Sequence, residues 1–403
     1  MSHSSTKPLS IYDIAIIGGG IAGAGIALEA SKKNLKVILF EKSTFGSGTS
    51  SKSSKLIHGG LRYLEVAWSA LLKWNFLECW KNFRFVCLAL RETHTLAREW
   101  PNLIKDIELL MPIYRHQGRS KWSVFFGTWL YGVLSRFSGG QHATRRLDSP
   151  EKILEIEPGL ARDGLLGGVL VWDHTTDDLA LVRTVIAHAV KAGAEAYENR
   201  PVIRYHRDRR TGIYDIDTTS GTFHARKLIN ASGAWVDQMR AQGTGHKSEM
   251  ITPVAGSHIE TKPFCRHSTI LQAADGRLFF VINREKTARI GTTERIEKNP
   301  DRVAVTQEEI TYLLNGVRSF FPQTAPRTED IISVDAGIRP LAKPKRSASL
   351  SQISREHEFV RDEMGCVHIL GVKLTDYRRA AQELIKKLSS DPGDIRLKKK
   401  SKS

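Results

Sequence analysis

The chain has 403 residues, 41% of them hydrophobic, which is more than one core usually organises, so it reads as a globular protein of two interleaved domains and not as a disordered one. Lys and Arg total 60 against 43 Asp and Glu, and the formal charge of +17 attracts phosphate, whether on a lipid, a nucleic acid or a substrate. Cys79, Cys87, Cys265 and Cys366 show no CxxC pair and no metal-ligand spacing, which argues against a disulfide framework or a metal site and for a reducing compartment; no run of roughly 18 apolar residues suggests a spanning helix, and the polar N-terminus has no export signal.

From Tyr12 the chain runs through an apolar β-like segment, a glycine cluster, a helical stretch and a second apolar segment ending in an acid, the order of a βαβ dinucleotide-binding unit. Gly18, Gly20 and Gly23 occupy the GxGxxG positions: the first allows the tight turn, the second the approach of a pyrophosphate, the third close packing of helix on strand. Glu41 ends the second segment, where a carboxylate accepts hydrogen bonds from ribose hydroxyls. FAD and NAD share the ADP half that this unit recognises, so the unit alone leaves the choice open.

A serine-rich loop follows, with Ser43, Ser47, Thr49, Ser50, Ser51, Ser53 and Ser54 set among glycines, and delivers His58, Arg62 and Tyr63 beside the ribose-binding strand. Farther on, Trp122, Phe125, Phe126, Trp129, Leu130, Val133, Leu134 and Phe137 recur at helical spacing, with Arg115, Arg119, Lys121 and Arg136 around them, predicting an amphipathic helix at 122–137 that lies in a lipid interface. Asp177 and Asp178 precede a helical pattern as an acidic first turn with no chemistry assigned. Residues 228–235 (LINASGAW) read as a strand reaching a small-residue turn, and 370–388 as a strand end, a glycine turn and an amphipathic helix whose N-terminus faces a cofactor. The lysine-rich end, 396–403, is expected to be a disordered tail.

The stretch SSKLIHGGLRYLE at 53–65 resembles the signature of the FAD-dependent glycerol-3-phosphate dehydrogenases and oxidases, within the D-amino-acid-oxidase-like flavoproteins. LINASGAW, GSHI at 256–259, IGTTE at 290–294, GIRPL at 337–341 and KLTDYR at 373–378 follow in that family's order, so the likeness covers about residues 11–388. The resemblance implies an α/β protein, α+β overall: a discontinuous Rossmann-like FAD-binding domain (10–90, 165–250 and 330–395) and an antiparallel-sheet substrate domain (91–164 and 251–329). It also implies oxidation of glycerol 3-phosphate to dihydroxyacetone phosphate with electrons passing to quinone on the inner face of a cytoplasmic membrane, or to oxygen were the protein an oxidase; the sequence does not separate the two acceptors. Relatives continue into a helical C-terminal domain beyond the point matching Ser403.

For the cofactor, the expected residues are Gly18, Gly20, Gly23, Glu41, Lys42, Thr49, Ser50, Ser53, Ser54, Val202, Ala231, Gly233, Gly337, Gly371, Lys373 and Leu374. Alcohol oxidation by a flavin needs a proton acceptor and cations for an anionic substrate, which selects His258 or His58 as base, Arg339 for the phosphate, and Arg62, Tyr63 and Lys373 as further contacts. Expected partners are a small phosphorylated polyol, quinone and an anionic membrane surface, with a homodimer compatible with the sequence; no nucleic-acid motif is present. Two positions depart from the family: Val372 stands where a second glycine is usual, and Asp376 where a second threonine is. Oxidation of another small anionic substrate, an amine or amino acid, and loss of catalysis in a flavin-binding paralogue are the competing readings.

Overall fold

A computed structural model describes residues 10–61, 63–64, 67–68, 73–118, 120–344 and 356–390. Arg62, Arg119 and the basic tail therefore lie outside the described residues.

Two sheets carry the architecture, an eight-stranded mixed sheet and a ten-stranded, mainly antiparallel one. The first is the dinucleotide sheet. Its central strand Ile11–Ile17 pairs in parallel with Val37–Phe40 on one side and Gly221–Asn230 on the other, and Val367–Leu370 extends it beyond the latter. All four residues of Val37–Phe40 are buried, as expected of a parallel strand covered on both faces. The helix Ile21–Ser31 crosses between the first two strands and packs against Asp178–Lys191 and Tyr377–Ser389, so the C-terminal segment returns to the N-terminal fold.

The second sheet is built on two long antiparallel pairs, Ile104–Tyr114 with Leu165–Thr176 and Ile251–Thr261 with Ile331–Ala342. The strands Leu165–Thr176 and Ile331–Ala342 were expected in the FAD domain, yet both belong to this second sheet, because pairing along their whole length ties them to Ile104–Tyr114 and Ile251–Thr261. The short strand Leu56–Ile57 also joins this sheet, so the serine-rich loop passes from one sheet to the other.

The stretch at 122–137 is helical, Lys121–Phe137, but its apolar residues are divided between two faces. Val124 and Phe125 are buried in a core with Leu109, Met111 and Val169, and Leu130 and Leu134 pack around Val86, Leu90 and Tyr131. Trp122, Phe126, Trp129 and Phe137 remain exposed, so the exposed apolar face is narrower than the continuous stripe predicted from spacing. Trp68 lies against Phe126, with ring centroids 5.4 Å apart, and Trp74, Phe76, Leu77 and Trp80 are exposed at the start of the adjoining helix Phe76–Glu99. Among the described residues, no helix is long and apolar enough to cross a membrane.

Candidate active site and cofactor cavity

The glycine turn between Ile17 and Ile21 follows from close approach. Gly18 has φ +107°, and a Cβ there would stand 2.6 Å from the Ala231 carbonyl oxygen; a Cβ on Gly23 would stand 1.9 Å from the Gly18 carbonyl oxygen. Gly23 thus seats the helix on the turn, and the first turn of Ile21–Ser31, which holds no acidic residue, faces the cavity beyond. Glu41 is oriented from both sides: Gly19 N–H donates to Oε2 at 2.8 Å and Ser43 N–H to Oε1 at 2.9 Å. Ser50 Oγ accepts from Ile21 N–H at 3.0 Å, pinning the serine-rich loop to the helix N-terminus.

From this turn a cavity of about 870 Å³ runs between the two sheets. Of the expected cofactor residues, Gly18, Gly20, Glu41, Lys42, Thr49, Ser50, Ser53, Ser54, Val202, Ala231, Gly233, Gly337, Gly371, Lys373 and Leu374 line it, while Gly23 sits behind the wall in its packing role. The volume is that of a large small-molecule site. A long cavity that begins at a bare helix N-terminus and an oriented carboxylate fits an adenine dinucleotide.

His58, Tyr63, His258, Arg339 and Lys373 line the same cavity. The two strands Ile251–Thr261 and Ile331–Ala342 place their groups by register. His258 is paired with Asp335, Gly256 with Gly337 and Val254 with Arg339, so alternate residues of both strands share one face. Two glycines make room for the large side chains: a Cβ on Gly256 would meet the Arg339 guanidinium at 2.5 Å, and one on Gly291 would meet the His258 ring at 2.2 Å. Arg339 Nη2 donates to Thr292 Oγ1 at 2.7 Å.

The two histidines differ. His58 is exposed to the cavity, and its Nδ1 accepts from Gly60 N–H at 3.1 Å. His258 is 2% exposed, and its Nε2 lies 2.9 Å from Ser54 Oγ. Burial, and then the positive charges of Arg289, Arg339 and Lys55, hold the His258 pKa well below the ordinary imidazole value, so the ring is neutral. Lys373 lies over the Tyr63 and Phe85 rings, with Nζ 5.4 and 4.6 Å from their centroids.

The two departures have local solutions. Gly371 takes the left-handed conformation, φ +70°, and Val372 does not, so the turn places no such demand on the valine. Asp376 is paired with His357 and with Arg379 Nε, the latter at 2.7 Å. Burial pushes its carboxyl up, but the His357 contact and the Arg379 charge outweigh that and hold it below the usual carboxylate range. The added negative charge therefore stands beside two basic side chains.

Several contributors were invisible in sequence. Arg289 forms a forked pair with Asp335 beneath His258. Asn230 donates through Nδ2 to His368 Nδ1 and to the Val236 carbonyl, and its Oδ1 accepts from Ser232, bracing the 231–235 turn on the cavity wall. Asp362, Cys366 and His368 bring their polar atoms within 4.8 Å of one another, but His368 Nε2 is 3.0 Å from Asp362 Oδ2 and its other nitrogen serves Asn230, which makes the trio a brace. Asp178 is fully buried and, through Ser53 and Lys55, holds the serine-rich loop, while Asp177 caps its helix. Only the spacing of Asp335, Gly337 and Arg339 at alternate strand positions offered a signal for the first of these.

Behind His58, Asp173 is 7% exposed and accepts from Tyr131 Oη at 2.9 Å and Gly59 N–H at 3.2 Å. Burial pushes its carboxyl up to about 7, against the smaller lowering by those donors. The folded state therefore binds this proton more tightly than the unfolded chain does, and stability falls as pH rises from about 4 to about 7. The component is on the order of 4 kcal/mol. Thermal melting from about pH 5 to about pH 8 is expected to show a decline that Asp173→Asn flattens; parallel profiles for the two proteins would disprove the assignment.

Comparison with known proteins agrees with this geometry. The model of the FAD dependent oxidoreductase family matches residues 13–373. The aerobic glycerol-3-phosphate dehydrogenase of Staphylococcus epidermidis is 35% identical over 386 residues, covering 93% of this chain and 66% of the relative; that of Staphylococcus aureus is 33% identical, covering 95% and 68%. The crystal structure of the glycerol-3-phosphate dehydrogenase of Bacillus halodurans complexed with FAD superposes with a TM-score of 0.72 at 26% identity, over 94% of this chain and 64% of that one. The FAD-bound L-alpha-glycerophosphate oxidase of Mycoplasma pneumoniae shares the fold with a TM-score of 0.71 at 16% identity. The chain thus spans about two thirds of the length of the dehydrogenases it matches. The glycine turn, the oriented Glu41, the cavity between two sheets and a family match across most of the sequence lead to one assignment: the chain belongs to the FAD dependent oxidoreductase family.

Proposed function

We propose that the chain oxidises sn-glycerol 3-phosphate to dihydroxyacetone phosphate with FAD as hydride acceptor, and that the electrons pass to quinone at an anionic membrane surface. The observation that carries this reading is the gathering of Arg339, Lys373, His58 and His258 on the wall of the cofactor cavity. A guanidinium grips phosphate oxygens in a forked arrangement, the ammonium adds a second positive charge, and a neutral imidazole accepts a hydroxyl proton. FAD, when bound, supplies the hydride-accepting nitrogen. Glu41 and the first turn of Ile21–Ser31 hold its ADP half, and Lys373 and Leu374 line the wall available to its ring. The names of the dehydrogenases that this chain resembles support the same substrate.

The membrane and quinone part of the reading is supported by the exposed Trp74, Trp80, Trp122 and Trp129 and the neighbouring Lys121 and Arg136, a surface suited to the headgroup region. The test is the absorbance spectrum of FAD-loaded protein under anaerobic conditions, before and after glycerol 3-phosphate. Bleaching of the flavin band near ~450 nm is expected. A band that glycerol 3-phosphate leaves intact while glycine or proline bleaches it would transfer the reading to amino-acid oxidation.

A further inference from the structure

We propose that Ser54 is a catalytic residue, relaying the substrate's hydroxyl proton to His258, and that Arg289 is the positioning residue that holds both ends of the relay. The proposal rests on the oxidation proposed above and names how its proton leaves.

His258 stands on the cavity wall with only 2% of its surface exposed, and the side chain bonded to its Nε2 is Ser54 Oγ, 2.9 Å away. Ser54 itself lines the cavity. The tautomer follows from the other side of the ring. His258 Nδ1 is buried without a hydrogen-bond partner among the described residues, and the charged group it faces is Asp335 Oδ1 at 3.8 Å. A nitrogen lone pair directed at a carboxylate is repelled, whereas an N–H is attracted, so the ring proton resides on Nδ1. Nε2 then carries the lone pair and accepts the Ser54 hydroxyl hydrogen. The lone pairs of Ser54 Oγ are left for a donor in the cavity.

Arg289, 2% exposed, holds this arrangement together. Its Nη1 and Nη2 donate to the two oxygens of Asp335 at 2.7 and 2.8 Å, and its Nε donates to the Ser53 carbonyl at 3.0 Å. One rigid guanidinium therefore fixes the carboxylate behind His258 and the backbone that presents Ser54 in front of it. Ser54 and His258, from distant segments, are thereby set at hydrogen-bonding distance, the requirement for a concerted transfer.

The step balances. As the hydride leaves the substrate carbon for the cofactor, the substrate O–H bond breaks and its proton joins Ser54 Oγ. The proton that Ser54 carried moves to His258 Nε2. The substrate becomes a ketone, the cofactor gains a hydride, and His258 ends as an imidazolium facing Asp335. The relay also couples to binding. Arg339 is one of the cations that disfavour charge on His258, so a dianionic phosphate on Arg339 offsets that charge and makes the ring a better base only when substrate is present.

The test is stopped-flow reduction of FAD-loaded protein by glycerol 3-phosphate, with FAD affinity measured separately by fluorescence titration of the apoprotein. Ser54→Ala is expected to bind FAD with a dissociation constant within about threefold of wild type and to lower the limiting rate of flavin reduction by on the order of a hundredfold or more. Ser54→Thr, which restores a hydroxyl, is expected to recover most of that rate. Ser54→Ala reducing its flavin at the wild-type rate overturns the relay. So does loss of FAD binding in Ser54→Ala, which would make the serine a cofactor ligand, as its loop suggested. Both outcomes differ from failure of the proposed oxidation, in which wild-type flavin itself is not reduced by glycerol 3-phosphate and the relay falls with it.

Discussion

Replacing Arg339 by leucine is expected to raise the glycerol 3-phosphate concentration for half-maximal flavin reduction by on the order of a hundred- to a thousandfold, the usual consequence of truncating one partner of a desolvated charge pair at about 3–4 kcal/mol. The guanidinium lies over Gly256 with Nη2 anchored on Thr292, so its plane is already fixed when a phosphate arrives. That anchoring separates two contributions. Arg339→Lys keeps the charge but loses the fork, and is expected to fall between wild type and Arg339→Leu. Because Arg339 is also among the cations that lower the His258 pKa, the leucine variant gains a more basic imidazole while losing its substrate grip. The limiting rate of reduction is therefore expected to fall far less than the apparent affinity. Stopped-flow titration reads both quantities, and an unchanged half-saturation concentration would remove Arg339 from the phosphate site.

A comparably large effect is expected for the cofactor from Gly23→Ala. The added methyl would stand 1.9 Å from the Gly18 carbonyl oxygen, and this is backbone meeting backbone, with no flexible side chain to yield. Gly18 has little freedom to retreat, since it lies against the Ala231 and Ser232 backbone in a conformation with φ +107°. The helix Ile21–Ser31 must lift from the strand, carrying away the N–H groups of its first turn and the Ser50 contact. Purified Gly23→Ala is expected to carry almost no FAD and to lose about 1–3 kcal/mol of stability from overpacking alone. Flavin-to-protein absorbance ratio and denaturant unfolding provide the readouts; full FAD occupancy would show that the turn can be rebuilt.

How much was legible in advance tracks how local each interaction is. Gly18, Gly20, Gly23 and Glu41 fall within one βαβ unit, so their spacing carries their geometry. Ser54, His258, Arg289 and Asp335 are brought together only by pairing in the second sheet, and no spacing along the chain announces that Ser54 will touch His258. The pairing of Leu165–Thr176 and Ile331–Ala342 within the second sheet was not legible for the same reason: an apolar strand does not state its partner. In Lys121–Phe137 helical periodicity showed which residues were apolar, but Phe125 goes inward and Trp122 outward because of where the second sheet lies, which periodicity does not contain. At residues 371–376 the sequence singled out Val372 and Asp376, while a partner of Asp376, His357, lies well outside the motif.

The paired strands Ile251–Thr261 and Ile331–Ala342 keep a continuous register from Ile251 to Glu260, with an irregularity only at Glu260/Thr261. Along that stretch side chains alternate between faces, so removing or adding one residue would turn Arg339 or His258 to the opposite side of the sheet, whatever its identity. This segment therefore sets different tolerances for two kinds of genetic change. Point substitutions alter one group at a time and leave the others aimed at the cavity, whereas a single-codon deletion would turn Arg339 or His258, the proposed phosphate grip and proton acceptor, away from the cavity while both residues are still encoded.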